Sequence, residues 1–357
     1  MRFLPILLVL LSSLVYVGWH IWAIAPLPVW GKWTLVGVAI VLFALEFVGF
    51  TPLMNRMPLW MSSCVYNVGN KYVIVLFYLL MAFVVLDLGR LVHIVPRSLL
   101  HESLPATAVL TVLMVGIFVY ASVHYHHKER VSLELDSGGR LQQPVTVVMA
   151  SDLHIGYHNR RADLAKWVDM INAEHPDLVL IAGDIVDFSF RPVIEEDMAA
   201  EFRRIEAPVY ACLGNHEYYA GEPDAEQFYR EAGINLLIDS SITVDGVRVI
   251  GRDDRTNPKR KSLSQLICDD SLYTIVLDHQ PYHLEEAERQ GVDFQLSGHT
   301  HRGQVWPLSW VTDALYECSW GSHQRGATHY YVSSGLGIWG AKYRIGTQSE
   351  YVVAQIR

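Results

Sequence analysis

The chain changes character near residue 125. Before that point four long apolar runs, at about 3–24, 33–50, 72–94 and 104–123, are separated by short polar stretches. Each approaches the ~20 residues that a helix needs to cross the hydrocarbon of a bilayer. Trp30, Trp33, Trp60, Tyr72 and Tyr125 stand near the ends of these runs, where amphipathic rings favour the interface. The first run exceeds the apolar stretch of a secretory signal and lacks a small-x-small cleavage site. Three more runs follow it, so it is read as a retained span.

After Lys128 the pattern becomes that of an α/β unit, with a strand at 130–135, a turn at Asp136-Ser137-Gly138-Gly139 and a strand at 145–150. Helical periodicity at 161–173, 195–205, 225–232 and 282–290 alternates with apolar strands at 178–182, 209–213, 235–238, 273–277 and 294–296. A hairpin, 242–244 with 247–251, turns at Asp245-Gly246, and strands at 330–333 and 351–356 close the series. Alternating strands and helices predict a sheet core covered by helices, with functional loops at the carboxyl ends of the strands. The boundary is drawn as a transmembrane region at 1–127 and a catalytic unit at 128–357. Because no long linker joins them, the catalytic unit is expected close to the membrane.

Basic residues give an orientation. With four spans, Arg2, Arg56, Lys71, Lys128 and Arg130 share one side, against Lys32 and Arg97 on the other. The positive-inside rule then predicts a multi-pass protein of a bacterial inner membrane with its catalytic unit in the cytoplasm. Glu46, Asp87 and Arg90 fall inside the runs. Asp87 and Arg90, three apart, share a helical face, as a paired interhelical contact or as a polar pocket. The His124-Tyr125-His126-His127-Lys128 stretch reads as a wet turn beside the membrane. A net charge of −9 argues against a general nucleic-acid binder. The scattered Cys64, Cys212, Cys268 and Cys318 form no Cys-x-x-Cys pair and ask for no oxidising compartment.

Chemistry gathers in five fragments: Asp152-Leu153-His154, Gly183-Asp184, Gly214-Asn215-His216-Glu217, Asp278-His279-Gln280-Pro281 and Gly298-His299-Thr300-His301. Each follows a short apolar run. Oxygen and imidazole donors at the ends of rigid strands are what a two-metal hydrolytic centre requires. In an extended segment, residues i and i+2 point the same way, so Asp152 with His154, and His299 with His301, can converge on one cleft.

Residues from about 129 to 357 resemble a calcineurin-like metallophosphoesterase domain, close to a branch in which membrane spans precede the catalytic unit. The ordered Gly-Asn-His-Glu and Gly-His-x-His fragments carry the resemblance. It implies a four-layer α/β sandwich and two divalent cations bridged by Asp184. Asp152, His154 and His301 would complete one site, and Asn215, His279 and His299 the other. A hydroxide bridging the cations would attack phosphorus, with His216 stabilising charge or protonating the leaving group. Mixed oxygen and nitrogen donors suit Mn²⁺ or Fe²⁺, with Zn²⁺ also possible.

His158, His283, His323 and His329 read as groups outside the ligand set. Arg302, where the family usually has glycine, could reach a phosphate or point to solvent. The Gly335–Gly340 loop through Arg344 resembles a substrate-side loop, and Arg344 is a candidate phosphate contact, although Ala341-Lys342-Tyr343 stands where relatives carry prolines. Trp306, Leu308, Trp310, Val311, Leu315, Tyr316 and Trp320 crowd the segment after the histidine pair. They suit an element dipping into lipid, or packing on the chain's own spans. The expected activity is hydrolysis of a phosphoester or pyrophosphate of a lipid or lipid-linked envelope intermediate. The alternatives are a soluble nucleotide or small diester with the spans as anchor, and a sensor or transporter carrying a regulatory phosphoesterase domain.

Overall fold

The computed structural model describes residues 3–267 and 271–357, so Arg2 and Cys268 lie outside the described residues. Two compact units separate: one runs up to Val123 and takes in Gly340–Lys342, and the other comprises His124–Trp339 and Tyr343–Arg357.

The first unit contains helices α1 (Phe3–Ile24), α2 (Val29–Val48), α3 (Leu59–Leu91) and α4 (Leu104–His126), all long and apolar enough to cross a membrane. The third begins 13 residues before its apolar run at Tyr72. Polar side chains there bond to their own helix: Asn67 donates to the Ser63 carbonyl and Asn70 to the Tyr66 carbonyl. Such local bonds let polar residues sit in a helix without unsatisfied donors. Asp87 turns to α1, accepting from Tyr16 Oη at 2.7 Å and lying 3.0 Å from His20 Nε2, where Arg90 was the expected partner. Glu46 Oε2 is buried without a hydrogen-bond partner.

Of the expected turn at 124–128, His124–His126 form the end of α4 and Lys128 opens the first strand, all within the second unit. Tyr125 is buried there, with its hydroxyl on Asn159 Oδ1 at 2.7 Å and the Lys128 ammonium 3.7 Å from its ring.

The second unit begins with strands β1 (Lys128–Leu135), β2 (Val145–Ala150), β3 (Leu178–Ala182), β4 (Val209–Cys212) and β5 (Ile234–Leu236). A second set follows: β6 (Ser240–Val244), β7 (Val247–Gly251), β8 (Tyr273–Leu277), β9 (Phe294–Ser297), β10 (Gly321–Arg325) and β11 (Thr328–Val332). The last strand, β12 (Ser349–Ile356), returns to the first sheet, giving orders β1-β12-β2-β3-β4-β5 and β10-β11-β9-β8-β7-β6. The strands from β2 to β5 are parallel, as are β7, β8, β9 and β11. Parallel strands need both faces covered, and β3 and β8 are buried at every position.

Val147, Met149, Leu178 and Leu180 of one sheet pack with Val249, Ile275, Phe294 and Leu296 of the other. On the outer face of the first sheet lie α5 (Arg161–Ala173), α6 (Arg191–Glu195), α7 (Met198–Phe202), α8 (Asn215–Ala220) and α9 (Glu222–Ala232). Leu164, Trp167, Val168 and Ile171 of α5 form the apolar stripe that a 3.6-residue period places on one side. Helix α10 (Glu285–Arg289) contributes Ala287 to the cluster over the second sheet. The result is the expected four-layer α/β sandwich.

The helix expected at 195–205 is two short ones, broken where Asp197 takes a positive φ of 47°. Three elements went unanticipated, among them the six-residue helix α8. β10 is polar, and the 8-residue helix α11 (Leu308–Leu315) is shorter than the window in which helical periodicity declares itself.

Phe294 is fully buried between the sheets. Phe294→Ala should destabilise the catalytic unit by about 3–5 kcal/mol. The check is a fall in the melting midpoint of the detergent-purified full chain.

Candidate metal centre

All five fragments emerge at carboxyl ends of strands. Asp152 and His154 follow β2, Asp184 follows β3, and Asn215 and His216 open α8 after β4. His279 follows β8, and His299 and His301 follow β9. The backbone is bent sharply inward at these points. Asp152, His154, Asp184, His299 and His301 have φ of 54°, 45°, 53°, 71° and 48°, a left-handed conformation that costs a residue with a β-carbon of order 1 kcal/mol or more. Bonds between loops hold it: Asp152 N–H donates to the Gly183 carbonyl, His154 N–H to that of Asp184, and Gly298 N–H to that of His279.

Among the described residues, three sets of donor atoms lie within 4.8 Å of one another: Asp152, His154 and His301; His154, Asp184 and His216; and Asp184, His279 and His299. Asp184 belongs to two of them. His279 Nε2 is 3.1 Å from Asp184 Oδ2, His301 Nε2 is 3.4 Å from Asp152 Oδ1, and His154 Nε2 is 3.6 Å from Asp184 Oδ2. His154 Nε2 and His301 Nε2 face each other at 3.1 Å. Two imidazole nitrogens meet at that distance only by sharing a proton or a cation. Asn215 Oδ1 is buried without a hydrogen-bond partner, and its place beside this cluster fits a ligand oxygen. The donor set therefore fits two divalent cations, with His216 nearer the first group than its sequence position beside Asn215 implied.

The electrostatics point the same way. Burial works against the charge on Asp184, yet the surrounding histidines outweigh it and hold the carboxyl well below its usual range. Burial likewise opposes a proton on His154, but Asp152, Asp187 and Asp184 overcome it and raise the imidazole to about 10. Burial dominates at His299, which falls to about 4, and at His301, which is also lowered.

Residues behind the candidate ligands fix their orientation. Asp187 is buried, with Oδ1 3.3 Å from His154 Nδ1 and 3.2 Å from His216 Nδ1, leaving both Nε2 atoms for the cleft. It was missed in the sequence, although its spacing three residues after Asp184 was a usable signal. Glu217 accepts from the backbone N–H groups of Asp184, Val186 and Gly214 and staples the β3 and β4 loops together. His279 Nδ1 lies 2.7 Å from the Ala182 carbonyl, which frees Nε2. Gly337 must be glycine: a β-carbon there would lie 2.0 Å from the Leu153 carbonyl oxygen. The 335–337 segment thus packs directly behind Asp152.

Arg344 differs from its expected role as a phosphate contact. It is fully buried, donating to the carbonyls of His301, Ser334 and Gly337 and to Ser349 Oγ, which makes it a strut for the His301 loop. Arg302 is half-buried with φ of 50°, stacked 3.9 Å over the Trp320 ring. His158 is buried 3.7 Å from Asp187, while His283 is exposed beside Glu285.

Residues 145–303 match the calcineurin-like phosphoesterase family. Relatives include an uncharacterized metallophosphoesterase of Campylobacter jejuni, 28% identical over 70% of this chain and 69% of that protein. Another, from Helicobacter pylori, is 29% identical over 59% of each chain, so this chain spans less than two thirds of that relative. A transmembrane protein with metallophosphoesterase domain from Danio rerio is 26% identical over 84% of this chain and 74% of that one. The chain carries a calcineurin-like metallophosphoesterase domain, a class of metal-dependent hydrolases of phosphate esters, preceded by four apolar helices.

Asp184→Asn removes the charge common to two donor sets. Elemental analysis should find most of the bound metal lost, with the melting transition retained. Because carboxylates hold a proton on His154 up to about pH 10 until a cation replaces it, metal affinity should weaken progressively as pH falls below about 10. Titration of chelator-treated protein with Mn²⁺ at several pH values checks this, and affinity independent of pH would contradict it.

Proposed function

We propose that the protein is a membrane-anchored phosphoesterase that hydrolyses a phosphoester or pyrophosphate of a lipid or lipid-linked intermediate. The observation that carries the lipid reading is α11. Trp310, Val311 and Leu315 are 65%, 52% and 66% exposed, and Trp306 stacks edge-on against Trp310 at 5.5 Å. Solvent-facing tryptophan and leucine on a short helix fit an interfacial element seated among lipid head groups. The helix starts only seven residues after His301, and its backbone at Leu308 and Ser309 closes on Gly303 too tightly for any β-carbon there. A lipid held at α11 would thus present its phosphate beside the ligand loop.

Two divalent cations, of the Mn²⁺ or Fe²⁺ kind, would supply Lewis acidity and a nucleophile drawn from water. The protein's own contribution is orientation and proton transfer. Asp184 holds the two donor sets together. Asp187 fixes the His216 tautomer through Nδ1, so that Nε2 faces the cleft to stabilise developing charge or protonate the leaving oxygen. Arg302, seated over the Trp320 ring, is a candidate phosphate contact. The bias of basic residues supports a cytoplasmic catalytic unit on a bacterial inner membrane.

The test compares kcat/KM for lipid phosphoesters in mixed micelles with that for bis-p-nitrophenyl phosphate. Wild-type protein should favour lipids over their short-chain analogues. Trp310→Ala with Leu315→Ser should lower the lipid-to-soluble ratio at least about tenfold, since tenfold is about 1.4 kcal/mol and full burial of two large apolar groups contributes about 3–6 kcal/mol. Equal losses on both substrates would make α11 a structural element and favour a soluble diester as substrate.

A further inference from the structure

The segment Arg252-Asp253-Asp254-Arg255 reads as electrically neutral, but the fold divides its charges unequally. Arg252 is buried 2.9 Å from both Asp278 and Glu286. Asp253 accepts from the Tyr218 hydroxyl at 2.6 Å and from Asn257 Nδ2 at 2.7 Å. Asp254 is buried and accepts from Gln280 Nε2. Arg255 alone emerges, exposed and without an ion-pair partner among the described residues. Its guanidinium lies 4.3 Å from the centre of the Tyr282 ring.

That ring leads to the metal centre. The Tyr282 and Tyr316 rings meet at 4.8 Å, tilted by 46°, and the Tyr282 hydroxyl donates to Tyr316 Oη at 3.1 Å. The Tyr316 ring is 6.4 Å from that of His299. Because Tyr316 Oη accepts from Tyr282, its own O–H remains available to donate. An arginine seated over an aromatic ring is restrained, losing less side-chain freedom when it grips a phosphate with two donors.

We propose that Arg255 and the Tyr316 hydroxyl form a second anion subsite beside His299, which takes a phosphate group other than the one at the metal centre. The substrate then carries two phosphates, or one phosphoester and a second phosphate on the part reaching past His299. This deepens the phosphoesterase reading and is independent of whether that substrate is a lipid.

The test uses the full chain in detergent, loaded with Mn²⁺, and calorimetric titration with adenosine 3′,5′-bisphosphate and adenosine 5′-monophosphate, which differ by one phosphate. Wild-type protein should bind the bisphosphate at least about tenfold more tightly, the scale of one charge-assisted contact. Arg255→Ala should abolish most of that advantage, Arg255→Lys should restore it only partly, and Tyr316→Phe should reduce it with metal content unchanged. An equal affinity for both nucleotides in wild-type protein, or an advantage that survives Arg255→Ala, would overturn the subsite. Failure of the lipid reading would appear instead in the micelle assay, with this affinity ratio intact.

Discussion

Everything in the catalytic unit answers to one electrostatic constraint: three buried aspartates and five histidines must converge on a volume only a few ångströms across. Like charges at such distances repel strongly once water is excluded. Asp152 and Asp184 keep their charge because imidazoles surround them, and His154 keeps a proton because three carboxylates face it. A cluster of this kind fits divalent cations, which can take the place of the proton on His154. The left-handed backbone at five donor residues is the mechanical side of the same demand, since it turns each side chain inward from the end of its strand.

Such strain persists only where the surroundings over-determine it. Here the surroundings are two sheets with a shared core, and loops tied to one another by backbone hydrogen bonds and by the Glu217 carboxylate. Arg344 performs the equivalent task on the far side. A fully buried guanidinium is tolerated because its donors meet three carbonyls and a hydroxyl, and that set anchors the His301 loop. At the rim, Arg302 and Arg255 stand over aromatic rings without carboxylate partners among the described residues.

The helical unit follows a different logic. Apart from Glu46 Oε2, which is buried without a hydrogen-bond partner, polar groups in its apolar helices are met by groups from elsewhere in the unit. Asp87 meets Tyr16 and His20, and Lys32 meets Glu102 at 2.9 Å. Asp87 could have been paired with Arg90 on spacing alone, because residues three apart share a helical face. Spacing within one helix carries no information about what a neighbouring helix offers.

The sequence by itself determined the four apolar helices, the alternation of strands and helices, and the residues that gather at the strand ends. These are local properties: length and hydropathy define a span, alternation defines a strand, and donor residues after an apolar run define a loop end. Tertiary structure alone decided the rest. It inserted β12 between β1 and β2, and it buried Arg344 behind the ligands rather than in front of them. It set Asp187 against two histidines and left Arg255 exposed while its three neighbours turned inward. Each depends on groups distant in sequence meeting in space, and no periodicity along the chain encodes which carboxylate a given arginine will find.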